Sequence, residues 1–329
     1  MFRQTAVILL TIVVASGQIA KKAAPKRPAV TYSVTEVNDA GNRPDLATKA
    51  EGTAALRAQI LLDRANFSVG QIDGTIGNNT EVALTGFRIK RQVAGTAGVD
   101  QATWEKLNED KEPVLVSYEI TAADLKGPFV KVPQDMLAKA KLKHLGYASP
   151  LDALSEKFHI APALLGKLNP GKRFNKAGEK IMVPNVLAGP QAMAVKIVVS
   201  KSAKTVTAFD EAGNNIAQYP ATIGSEHDPL PIGEWKITGI AKNPPFHYNP
   251  DLFWDAKEEH SKATIQPGPR NPVGLVWIDL SKEHYGIHGT PSPATIGYAE
   301  SHGCIRLTNW DALELASFVK AGIPVSLVE

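Results

Sequence analysis

The chain carries a single cysteine, Cys304, in the run Ser301-His302-Gly303-Cys304-Ile305-Arg306, and a second histidine precedes it in His288-Gly289-Thr290. Sulfur attacks as thiolate, and a free thiol with a pKa near ~8.5 is only a few per cent ionised at neutral pH. A neighbouring histidine that takes the proton leaves a reactive thiolate–imidazolium pair. His302 and His288 compete for that role. In an extended chain His302 shares a face with Cys304, whereas His288 can approach only through folding; spacing alone does not choose between them. Gly303 permits a turn closed to other residues, which would aim its own amide and that of Cys304 at a developing oxyanion. Arg306, on the same extended face as Cys304, is suited to bidentate binding of a carboxylate.

A lone cysteine is more often a small buried hydrophobe than a nucleophile. Exported proteins, however, usually pair their cysteines, and this one has no partner. A zinc site would need a third protein ligand and ordered spacing. No His-x-His or His-Glu-x-x-His pattern exists here, so no metal and no cofactor is expected.

The elements that must position these residues are strands. From Ala194 the apolar period is two: Val195, Ile197 and Val199, then Val206 to Phe209, Trp235 to Ile240, and Val273 to Leu280. Short strands repeated over residues 194–329 indicate a mainly-β sandwich or barrel. One helix interrupts them, with Thr308 as its cap, Asp311 at the third position, and Gly322 and Pro324 beyond its end.

Upstream the pattern changes. Arg3 and the apolar run Ala6–Ala15, followed by Ala15-Ser16-Gly17, read as a signal peptide over residues 1–20. Cleavage would leave an exported protein with no stable membrane span. Residues 21–50, rich in Lys, Ala, Pro, Asp and Asn, read as a flexible linker. Over 51–110 three short helices are expected around the turn Asp73-Gly74, with Asp100 capping the third and Trp104 buried. Residues 111–143 read as a connector containing a strand-like piece from Val114 to Ile120. Residues 144–188 read as a poor strand, helices over 151–158 and 161–168, and a strand ending at Val183-Pro184. The 329-residue chain is thus multidomain. Its 43% hydrophobic and 21% charged content is ordinary for a globular protein, and a net charge of +3 with no basic patch argues against nucleic acid as partner.

His288-Gly289-Thr290-Pro291 and Ser301 to Asn309 resemble the signature of the L,D-transpeptidase (YkuD) family, supported by Pro231-Ile232-Gly233 and Asn271-Pro272-Val273-Gly274. Asp73 to Thr80 with Phe87 and Trp104 resembles a peptidoglycan-binding domain, and 144–188, with Leu168-Asn169, resembles an α+β LysM module. The family resemblance implies that Cys304 is acylated and that His288 is the base, held by the carbonyl of Gly289. It implies that His302 and Gly303 line the site, and that Arg306, with Ser301 and Asn309, binds substrate. Leu230 stands where the family often has Thr, which should affect a turn rather than the chemistry. The implied substrate is the peptidoglycan stem tetrapeptide. D-Ala would leave, and diaminopimelate, an envelope-protein amine or water would accept the acyl group. The implied location is the periplasm, associated with the wall and its glycan. The alternative is a non-enzymatic wall-binding protein, against which the intact His288, Cys304 and Arg306 argue.

Overall fold

The computed structural model describes residues 31–186, 189 and 192–329. The expected signal peptide and the first part of the expected linker lie outside the described residues.

The N-terminal half is built on helices α1 (Val34–Asn38), α2 (Thr53–Arg64), α3 (Asn78–Arg91) and α4 (Gln101–Leu107). Residues 31–50 are not a free linker. Val37 is fully buried, Leu46 bridges Val99, and the Trp104 indole donates to Pro44 O at 2.8 Å. The buried Arg57 guanidinium reaches Asn108 Oδ1 at 2.6 Å and Val37 O at 3.1 Å. Composition suggested disorder because this segment has no amphipathic period of its own; it is ordered by what it covers. The Asp73-Gly74 turn is fastened from α2. Gln59 Oε1 accepts from the Gly74 amide at 2.7 Å, and Gln59 Nε2 donates to Asp73 Oδ1 at 3.0 Å.

A second unit follows without a break in the core. Strand β1 (Leu115–Glu119) pairs antiparallel with β2 (Lys180–Pro184), and helices α6 (Pro150–Lys157) and α7 (Pro162–Leu168) lie between them in sequence. Asn169 ties the end of α7 to β2, with Met182 N donating to its Oδ1 at 2.6 Å and its Nδ2 donating to Met182 O at 2.8 Å. The opening strand is therefore not at 144–149 but at 115–119, inside the expected connector. Residues 120–149, including helix α5 (Met136–Ala140), form an excursion from this unit. One apolar core runs from Val37 to Val186 through both units.

The C-terminal half is mainly β. Its strands are β3 (Lys196–Ser200), β4 (Thr205–Phe209), β5 (Asn215–Pro220), β6 (Thr222–Ile223), β7 (Gly233–Lys242), β8 (Phe246–Tyr248), β9 (Ala263–Ile265), β10 (Val276–Leu280), β11 (Gly286–His288), β12 (Ile305–Arg306) and β13 (Pro324–Val328). Nine of them form one array in the order β5-β4-β3-β13-β7-β10-β11-β12-β6, while β8 and β9 form a separate hairpin. The ten-residue β7 joins the two halves of the array: its first residues pair with β13 and its last with β10. Ile197 and Val199 from one half and Ile278 and Ile287 from the other share a single core. Helix α8 (Asn309–Ser317), capped by Thr308 Oγ1 accepting from Asp311 N at 3.1 Å, adds Ala312 and Leu315 to it. Leu230 is buried in the same core, so the departure from the family's Thr is absorbed by apolar packing.

The two halves are docked. Gln218 of β5 exchanges backbone bonds with Asn66 and Ser68 at 2.9 Å each, and its side chain donates to Val82 O at 3.0 Å. Arg270, on the β9–β10 connection, reaches Glu156 and Asp152 of α6 together with Pro291 O.

Candidate active site

Strands β11 and β12 bring the two parts of the motif together. They pair in parallel, with Ile287 opposite Ile305 and His288 opposite Arg306. Cys304, one residue before β12 and two before Arg306, lines the same cleft as Arg306 and His288. Nothing local in the sequence encodes this meeting; it needs the array that holds β10, β11 and β12 side by side.

His288 is 4% exposed, and its Nδ1 donates to Gly289 O at 2.7 Å. That bond fixes the tautomer and leaves Nε2 as the proton-accepting nitrogen. The ring stacks on Trp277 at 5.3 Å and 18°. Burial, reinforced by the Arg306 charge, pushes its pKa down to about 3 against the opposing Gly289 bond. At physiological pH it is a neutral imidazole. Burial raises the Cys304 thiol, and Asp228 adds to that; the Gly286 amide and Arg306 pull the other way. The resting pair is thus thiol and imidazole, with Arg306 as the charge that favours a developing thiolate.

Gly303 has φ +92°, and a Cβ there would stand 2.9 Å from the Tyr285 ring. Residues 301–304 are therefore a turn rather than extended chain, so His302 does not sit beside Cys304 on a strand face. His302 instead turns to the β8–β9 loop, where its Nε2 meets Asp255 Oδ1 at 2.8 Å and its ring lies 5.0 Å from Phe253 and 5.8 Å from Trp254.

Ser301 and Asn309 have structural partners. Ser301 Oγ donates to Cys304 O at 2.6 Å and its amide donates to Gly224 O, which closes the cysteine turn. Asn309 lies behind the site, 2% exposed. Its Oδ1 accepts from Leu275 N, and its Nδ2 donates to Glu156 Oε2 at 3.0 Å and to Pro269 O. Gly289 lets Asn309 approach, because a Cβ there would stand 2.3 Å from Asn309 Oδ1.

Cys304, His288, His302 and Arg306 line one cleft of about 1140 Å³. Its walls include His247, His284 and Tyr285 and, from outside the β half, Gln134, Asp135 and Met136. These last three were missed from the sequence, as was Asp255. No motif marks them, and they reach the site because the excursion 120–149 packs under the hairpin. Val132, Met136, Ala140 and Leu142 cover Leu145, Tyr248 and Ile265 there. Among the described residues no cluster of three potential metal ligands occurs, and no helix is long and apolar enough to cross a membrane.

Residues 194–327 match the family model of the YkuD L,D-transpeptidase catalytic domain. A protein of Bacillus subtilis (strain 168) assigned the name L,D-transpeptidase YkuD is 35% identical over 179 residues, which cover 54% of this chain and 92% of the relative. Its namesake in Bacillus licheniformis is 33% identical over the same length and coverage. A protein of Escherichia coli (strain K12) assigned as L,D-transpeptidase YbiS is 27% identical over 191 residues, covering 56% of this chain and 61% of that one. With about a third of the aligned residues shared with relatives that it covers almost end to end, the chain belongs to the YkuD family of L,D-transpeptidases.

Proposed function

We propose that the chain is an exported, cysteine-dependent L,D-transpeptidase acting on peptidoglycan. The observation that carries this is the register of β11 against β12, which sets His288 opposite Arg306 and Cys304 at the head of the same strand. His288 Nε2 takes the Sγ proton as sulfur attacks the carbonyl between the L-centre of diaminopimelate and the terminal D-Ala of a stem tetrapeptide. The C–S bond forms, and backbone amides of the Gly303 turn face the oxyanion. The C–N bond then breaks, and His288 returns the proton to the departing D-Ala amine, leaving a Cys304 thioester. An amine of a second stem, or of an envelope protein, attacks that thioester and releases the thiol. Arg306 assists by charge at the sulfur and by holding a substrate carboxylate.

The N-terminal half fits a wall-binding role. The strand–helix–helix–strand order β1-α6-α7-β2 agrees with the resemblance to a LysM module, and the Asp73-Gly74 turn with that to a peptidoglycan-binding domain. The 179-residue alignment to the Bacillus relatives also exceeds the span of the catalytic domain. The apolar run in residues 1–20 supports export, and the periplasmic reading rests on the family resemblance.

The test is incubation with a defined disaccharide-tetrapeptide, read by mass. D-Ala release with growth of a cross-linked dimer is expected, and Cys304→Ala should give neither. Tripeptide without dimer would make the enzyme a carboxypeptidase instead, and absence of D-Ala release would overturn the assignment.

A further inference from the structure

Among the described residues, the β8–β9 hairpin pairs with no strand of the nine-stranded array. Its loop nevertheless lines the active-site cleft with Leu252, Phe253, Asp255 and His260, in company with Cys304 and Arg306. The turns within that loop are short-range: Leu252 N donates to Asn249 O, Ala256 N to Phe253 O and His260 N to Lys257 O. Leu252 and Trp254 are exposed. Bonds of this kind fix the shape of a loop but not its place against the array, and segments with few buried contacts open first.

Asp135, from the N-terminal half, supplies a brace. It caps α5, with Oδ1 accepting from Ala138 N at 2.9 Å, which fixes its carboxylate on the excursion 120–149. Its Oδ2 accepts from two groups of the hairpin loop, His260 Nε2 at 3.1 Å and Lys257 Nζ at 3.3 Å. The Ala138 amide and the His260 bond pull its pKa down to about 2, and Lys257 adds to that, so it is an anion throughout the physiological range. The pair with exposed Lys257 contributes little. The His260 side chain, by contrast, is only 8% exposed. A carboxylate can only accept, so Nε2 carries the hydrogen, and in the neutral ring Nδ1 accepts from the Tyr248 hydroxyl at 2.8 Å.

Tyr248 belongs to the small core with Leu145 and Ile265, against which Met136 and Phe253 pack. The Phe253 ring stands 5.5 Å from that of Tyr248 and 5.0 Å from that of His302, and Asp255 Oδ1 meets His302 Nε2 at 2.8 Å. His302 is two residues before Cys304. The series of contacts therefore begins in the N-terminal half and ends at the cysteine turn.

We propose that Asp135 is a positioning residue for the reaction at Cys304: through His260 it holds the β8–β9 loop as a substrate-facing wall of the cleft, which makes the N-terminal half part of the active site. Asp135 touches no reacting atom. It sets how firmly the stem peptide is enclosed, an effect on KM more than on kcat, and it limits what else can reach the thiol. The array alone carries the nucleophile, its base and Arg306; the wall that closes on the stem depends on a residue outside the β half. The inference rests on the transpeptidase assignment and deepens it.

The experiment uses the full chain and Asp135→Asn, which keeps an oxygen to cap α5 but offers no second acceptor to His260. Cys304 is alkylated, well below the melting transition, with iodoacetamide and with the much bulkier fluorescein maleimide. A loosened loop admits the larger reagent, so the ratio of bulky to small rates should rise by about fivefold or more. A shifted thiol pKa acts on both reagents alike and leaves that ratio where it was. With a disaccharide-tetrapeptide, KM should rise by about fivefold or more, a larger factor than any fall in kcat. His260→Leu should raise the ratio as Asp135→Asn does, and the double variant should add nothing further, as expected of two residues acting through one another. An unchanged alkylation ratio, or a KM that does not rise, would overturn the proposal. A wild-type enzyme that never releases D-Ala would instead refute the transpeptidase assignment, and the alkylation ratio would still decide what Asp135 does to the cleft.

Discussion

Arg306 stands directly opposite His288 across the parallel pairing of β11 and β12, so a permanent cation neighbours the imidazole that must accept a proton. The same guanidinium favours the thiolate of Cys304. It therefore depresses the base and promotes the nucleophile together, while burial keeps the resting pair neutral and lets charge develop only as sulfur attacks.

Replacing Cys304 by Ala should abolish adduct formation with a carbapenem, a strained acyl donor, as read by intact mass. Cys304→Ser should be nearly inert, because a hydroxyl asks far more of the imidazole. His288→Ala should slow acylation at neutral pH by about 10²-fold or more, with partial recovery at high pH, where hydroxide replaces the base. An adduct on Cys304→Ala would remove the nucleophile assignment.

Arg306→Lys keeps the charge and loses the planar two-pronged donor. Thiol alkylation by iodoacetamide should keep its pH midpoint, while turnover of stem peptides falls. Arg306→Gln should raise the alkylation midpoint, because the cation that favours the thiolate is gone. Normal stem turnover by Arg306→Lys would refute bidentate carboxylate binding.

Arg270 clamps the two halves by reaching Glu156 and Asp152 of α6, and Glu156 is itself 6% exposed and bonded by Asn309. Arg270→Ala leaves that carboxylate buried without its cation, a change worth about 3–5 kcal/mol. The melting temperature should drop by several degrees or more, and limited proteolysis should open the 120–149 excursion first. Unchanged melting would show that the clamp carries no docking energy.

Where α8 meets the N-terminal half, His159 lies against Asp63 at 3.1 Å and stacks on Trp310, while Glu314 accepts from the Tyr219 hydroxyl at 2.8 Å. Burial raises Asp311 to about 7 and Glu314 to about 8, and in both Asp63 adds to the rise. His159 is raised as well: burial opposes its charge, but Asp63 outweighs it. All three groups bind protons more tightly when folded, so their stabilisation is present at low pH and is lost as pH climbs, through about 7 for Asp311 and about 8 for Glu314. Each pKa unit is worth about 1.4 kcal/mol. Thermal melts should therefore show falling stability between pH 5 and about 9, flattened in Asp311→Asn and Glu314→Gln. A wild-type profile that rises over this range would contradict the assignment.

The sequence by itself determined what is local or chemical. The turn at Gly303 needed a residue free to take positive φ. The Thr308 and Asp100 caps needed short polar side chains ahead of helices. The strands from Lys196 onward carried their period of two, and the solitary cysteine between His302 and Arg306 announced its chemistry through residue types alone. Tertiary structure decided what depends on distant pairing. Only the register of β11 with β12 placed His288 against the nucleophile's strand. The hydrogen bonds of Ser301 and Asn309, for which the family resemblance implied substrate contacts, were set by packing: one closes the cysteine turn and the other ties α8 to α6. The first strand of the second unit was displaced to 115–119, because strand pairing is satisfied by register and not by nearness in sequence. Gln134, Asp135, Met136 and Asp255 carry no motif and entered the cleft because a small apolar core under the β8–β9 hairpin holds the excursion there. A contact between residues far apart in sequence is a property of the assembled core, which no local pattern of side chains encodes.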